Sequence, residues 1–182
     1  MHRTLQARWW LMATLVLGAA ILRLLPHPPN VTPVAAMALF GGAHFDRTSR
    51  AFAVPLAAMF ISDALLQWLF GWGFHGQMVV VYLCFVATVG IGLLLRRRVS
   101  VLSVAAAAFS SSTLFFVTTN LAVWAAGSLY PHSAAGLLSC YVAALPFYGL
   151  TLAGDLFYTA VLFGTFALAE RRFPLLALPR PA

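Results

Sequence analysis

Lysine is absent from this chain, and acids nearly so: Asp46, Asp63, Asp155 and Glu170 are the four in 182 residues. Charged residues make up 8% of the sequence and hydrophobic ones 62%. A soluble domain is about one quarter charged, so this scarcity excludes a water-soluble globule and points to an integral membrane protein. Cysteine is scarce too. Cys84 and Cys140 both lie in apolar stretches, which excludes a disulfide framework. No HExxH, paired-cysteine metal spacing or phosphate-cradling glycine loop is present, and "FSSST" lacks the strand–elbow context of a hydrolase nucleophile. No specific catalytic arrangement remains, and a P-loop ATPase is excluded. The absence of internal repeats argues against a classical two-repeat transporter.

What the chain does have is arginine. All of its +7 net charge comes from that residue. The arginines stand in short clusters between apolar runs, as membrane topology requires. That placement argues against a nucleic-acid surface. A span of the ~30 Å hydrocarbon layer takes about 20 apolar residues. On that measure the sequence predicts one all-α, polytopic transmembrane domain over 1–182, with crossings at about 7–25, 33–45, 50–69, 77–95, 101–125 and 147–169. Pro146 interrupts the last long apolar stretch, so a short surface or re-entrant helix is expected at about 134–145. The apolar run after Arg8 continues to Leu25 and reads as an uncleaved first helix rather than a signal peptide.

Six crossings with both termini cytoplasmic put Arg3, Arg8, Arg47, Arg50, Arg96, Arg97, Arg98, Arg171, Arg172 and Arg180 inside and Arg23 alone outside, in accord with the positive-inside rule. The costly polar groups then fall in the outer half: Arg23, His27, Asn30, Asp63, His75, Asn120 and Asp155. An ion path would leave ionisable steps at several depths. This pattern predicts instead a cup open to the outer face. The stretch "PHPPNVTP" cannot be helical, since half of it is proline. Such backbone is permitted at membrane depth where it lines a cavity, and it is expected to hold His27 and Asn30 across the mouth.

Each of these groups has a structural alternative. Asp63 can hydrogen-bond inside the bundle, Arg23 can pair with Asp155 or reach the headgroups, and Asn120 can join two helices. His132 suits a solvated loop, and Trp72, Trp124 and Tyr130 suit an interfacial belt. Three outer histidines and Cys84 are candidates for a metal site, although widely separated in sequence. Small residues four apart, Ala38 with Gly42 and Ala53 with Ala57, allow close helix approach, either internally or to a partner.

The segments "RLLPHPPNVTPVAAMALFGGAHF", "VPLAAMFISD", "LFFVTTNLAVW" and "CYVAALPFYGLTLAGDLFY" resemble a bacterial family of small multi-pass membrane proteins of unknown function. The helix count and outward cup also look like the S components of energy-coupling-factor vitamin transporters, the solitary cobalamin type most of all. That resemblance implies a bacterial cytoplasmic (inner) membrane and a small-molecule ligand. It also implies an energising transmembrane-plus-ATPase module as partner. Its binding positions correspond to His27, Asp63 and Tyr82 here. Cobalamin would be the transported ligand, with His75 or Cys84 as candidate cobalt ligand, although neither stands quite where that type has its cysteine. The leading expectation is a substrate-binding and uptake protein for a vitamin-like molecule, in which Asp63→Ala and Asn120→Ala abolish binding but spare insertion. The alternatives are an accessory or scaffold subunit and a membrane-embedded enzyme acting on a lipid or isoprenoid.

Overall fold

A computed structural model describes residues 2–176; Arg180 lies outside them. The chain is all-helical, with α1 (His2–Leu22), α2 (Val34–His44), α3 (Thr48–Phe70), α4 (Met78–Leu95), α5 (Val101–Ala126) and α6 (Ala134–Arg172), followed by a short 3-10 turn at Pro174–Leu176. Five of the six are long and apolar enough to cross a membrane; α2 is the exception. Bulky apolar side chains such as Phe60, Leu83, Leu94 and Leu102 are exposed on the periphery. In water such a surface would drive association, whereas in lipid it faces a solvent of its own kind.

α2 is the axle of the bundle. It packs against each of the other five helices, which follow one another around it in the order α1, α3, α4, α5, α6, with only a thin contact between α6 and α1. Every residue from Ala36 to Ala43 is buried. At 11 residues, α2 is about 16 Å long, roughly half the hydrocarbon thickness. The crossing expected at about 33–45 is therefore this half-length helix joined to the proline strap. Such a discontinuous segment is tolerated because protein, not lipid, surrounds it.

Close approach holds α2 in place. A Cβ on Gly42 would lie 2.3 Å from the Val89 carbonyl oxygen and 2.8 Å from Gly92 Cα, so the two helices meet backbone to backbone. The pairing that Ala38 and Gly42 suggest is thus spent on α4 inside the molecule. At its C-terminus Arg96 donates from Nε to Gly42 O at 2.9 Å and from Nη2 to Phe45 O at 2.6 Å. A guanidinium here satisfies carbonyls the helix leaves open and opposes the negative end of its dipole. Arg96→Ala is expected to lower stability by about 1–2 kcal/mol, read as a lower melting temperature in detergent. Arg97→Ala serves as the control.

The long final helix departs from the sequence reading. Pro146 was expected to divide 134–169, yet α6 runs unbroken through it for 39 residues, about 58 Å. Contacts to α5 on either side of the proline explain this. Tyr141 Oη donates to Val117 O at 2.8 Å, Tyr148 Oη lies 2.9 Å from Thr113 Oγ1, and Phe116 packs against both tyrosine rings. At the other end, Arg8 pairs with Glu170, donates to the Leu176 carbonyl and lies over the Phe166 ring, tying α1 to α6. The arginine-rich connections and the proline strap occupy opposite ends of the bundle.

A candidate ligand cavity at the strap end

Because α2 fills only half of the central axis, the other half is open. The space above it is a cavity of about 730 Å³, walled by α3, α4, α5 and α6 and crossed by the strap. Its floor is the start of α2, at Val34 and Ala35. The volume is in the range of small-molecule sites, about 300–1,000 Å³.

The strap owes its shape to its prolines. Val31 N–H donates to Pro28 O at 3.1 Å, with Pro29 and Asn30 between them and Asn30 at φ +64°. Proline followed by a residue of positive φ is the signature of a type II turn, and asparagine tolerates that conformation better than most residues. The turn carries Val31 against Gly154, midway along α6, where a Cβ would come within 3.0 Å of Val31 Cα. The end of the strap is thereby anchored on α6 within the bundle, while Pro28, Pro29 and Asn30 stay exposed. On the opposite rim the 71–77 loop is fixed to α3: Phe74 N–H donates to Gln67 Oε1 at 3.0 Å, and Gly73 sits so close to the Asp63 carbonyl that no side chain fits there.

Arg23, His27, Asn30, His75 and Asp155 all line this one cavity, as does Cys84. Asp63 and Tyr82 stand behind it. Arg23 Nη2 pairs with Asp63 Oδ1 at 2.6 Å, its other terminal nitrogen donates to Ser62 Oγ, and Tyr82 Oη donates to Asp63 Oδ2 at 2.8 Å. Of the alternatives open for Arg23, the structure takes neither Asp155 nor the headgroups. The two aspartates belong to separate networks, because Asp155 Oδ2 receives Ser112 Oγ at 2.5 Å. Asn120 bonds to Phe116 O on its own helix and lines a smaller side chamber of about 170 Å³ between α5 and α6, which shares Asn30, Phe115, Thr119 and Thr151 with the main cavity. His132 lies edge-on to Trp124 in an exposed loop.

The sequence spacing of Ser112, Phe116, Asn120 and Trp124, four residues apart, predicts one polar stripe on α5, and in the structure this stripe faces α6 or the loop before it. The cavity is lined instead by Ser111, Phe115, Thr119 and Val123, the same spacing displaced by one residue. One position is about 100° of helix rotation. Thr88 on α4 was also missed. It had the look of an ordinary helix-interior threonine, and only its place opposite α5 gives it away.

Among the described residues, no three histidine, cysteine or acidic side chains come together to hold a metal ion. His75 and Cys84 each border the cavity as single potential ligands. Over residues 3–176 the sequence matches the model of a family of unknown function, DUF6580. The chain belongs to this family. No curated protein and no solved structure matches it. The cavity and the polar residues around it all lie within the span the family model covers.

Proposed function

We propose that this DUF6580 member is a membrane substrate-binding and uptake protein that takes a small vitamin-like molecule into the strap-end cavity. The observation that carries the reading is the cavity itself: ligand-sized, mostly apolar, and furnished with a few converging polar groups. A discontinuous membrane segment at its base is a common substrate-site construction in transporters. The arginine clusters at the opposite end favour that end as cytoplasmic, so the cavity opens outward and both termini lie inside. The resemblance to energy-coupling-factor S components favours the same arrangement in a bacterial cytoplasmic membrane. In that setting cobalamin or a smaller vitamin is cargo, with His75 or Cys84 as axial ligand in the cobalamin case.

Ala53 and Ala57 lie exposed on α3. They leave a shallow face on the periphery against which an energising transmembrane-plus-ATPase module can pack. The reading is tested by purifying the protein gently from its host membrane and recording a native mass and an absorption spectrum. A discrete added mass in the vitamin range, lost on substituting Asp155 or Phe115, is the expected result. A stoichiometric membrane partner with a ligand-free protein, even after extracts rich in vitamins are added, would overturn uptake in favour of a scaffold.

A further inference from the structure

On the α4, α5 and α6 walls of the cavity, below the mouth where His27, Asn30, His75 and Gln77 stand, the hydroxyl groups present a one-sided hydrogen-bonding polarity. Thr88, Ser111, Thr119 and Thr151 all line it. Each hydroxyl donates its only hydrogen to the carbonyl four residues earlier, at Cys84, Ala107, Phe115 and Phe147 respectively, over 2.7–2.9 Å. What they turn to the cavity is lone pairs alone. The guanidinium of Arg23 is directed away, to Asp63, Ser62 and the Met59 carbonyl, and its charge is matched by Asp63. Asp155 has no such match. It is 5% exposed, and among the described residues no cation lies within ion-pair distance. Its Oδ2 receives Ser112, while among the described residues Oδ1 has no hydrogen-bond partner. Phe85 and Phe115 supply aromatic surface in the same cavity.

We infer that the ligand is an organic cation rich in N–H donors on a flat apolar body, seated with its charged nitrogen on Asp155 and its remaining donors on the hydroxyl lone pairs. This rests on the proposed role of the cavity and narrows it to a charge class. Between these walls a carboxylate or phosphate would meet hydroxyl acceptors and one negative charge. A neutral molecule of the same shape would leave Asp155 buried without a counter-charge. The cation satisfies both, and aromatic faces add attraction for it.

The test uses three molecules of one shape: naphthalene-2-carboxamidinium, naphthalene-2-carboxamide and naphthalene-2-carboxylate, titrated calorimetrically into the purified full-length protein. The amidinium is expected to bind roughly 30-fold or more tighter than the carboxylate, with the amide between them. Asp155→Asn is expected to abolish the preference, and Asp155→Glu to keep it. Equal or tighter binding of the amide or carboxylate to wild type overturns the charge assignment and leaves ligand binding standing. A preference that survives Asp155→Asn overturns it equally. Failure of all three to bind removes the small-molecule reading as well. The wild-type ranking decides the matter even where a variant does not fold.

Discussion

Gly42→Val will leave little folded protein. The valine Cβ would overlap the Val89 carbonyl and the Gly92 backbone, and backbone cannot step aside as a flexible side-chain tip can. Overpacking a tight interior costs about 1–3 kcal/mol when side chains absorb it. Here α2 is enclosed by five helices, so relief on one side compresses another. Gly42→Ala is expected to lose at least about 2 kcal/mol, and the valine variant to aggregate or be degraded. The measurement is monodisperse yield and thermal inactivation in a mild detergent. Gly90→Ala and Gly164→Ala are the controls, since no heavy atom lies within 4 Å of a Cβ at either site. A Gly42→Val protein melting within about 3 °C of wild type would show that α2 and α4 are not in backbone contact.

The second large effect concerns Asp63. Its carboxylate is 3% exposed and its partner Arg23 12%, so removing either alone strands a buried charge, at a cost of about 3–5 kcal/mol. Asp63→Ala and Arg23→Ala are each expected to reduce folded yield sharply. The pair Arg23→Met with Asp63→Leu is expected to recover most of it, because a buried ion pair can be exchanged for apolar groups of similar size with little loss. This outcome separates two duties for Asp63. A residue that only touched ligand would lose binding without losing stability, and a partner substitution would not rescue it. Recovery in the double variant, with ligand still retained, places Asp63 in the scaffold that fixes the junction of α1, α3 and α4.

Some of this architecture was legible in the sequence. Arginine spacing and apolar run length located α3, α4 and α5 to within about two residues, because those runs are bounded by charge and glycine. The proline strap and Asp155 were legible for a different reason: each is too expensive in lipid to lack an enclosing structure. What failed was rotational phase. In water an apolar stripe tells which side of a helix is buried, but in a bilayer the lipid side is apolar as well. α5 was thus oriented by Ser112, which bonds to Asp155 on α6, and Asn120, which bonds to its own helix backbone, while Ser111 and Thr119 beside them face the cavity. Continuity failed at Pro146 for a related reason. The rule that proline ends helices describes local geometry, whereas the tyrosines at 141 and 148 hold α6 through tertiary bonds that no local window contains. α2 escaped as a half-length element because Gly41 and Gly42 read equally as a weak span or as a packing face.

The unbroken α6 has a further consequence. A rod about 58 Å long cannot stand within a ~30 Å hydrocarbon layer, and tilting alone would require an angle beyond the usual 0–40°. Its first turns, which include the exposed Leu138, Val142, Leu145 and Phe147, are too apolar to project comfortably into water. The surrounding leaflet must thicken beside the α5–α6 hairpin or the hairpin must lean, and either response depends on acyl-chain length.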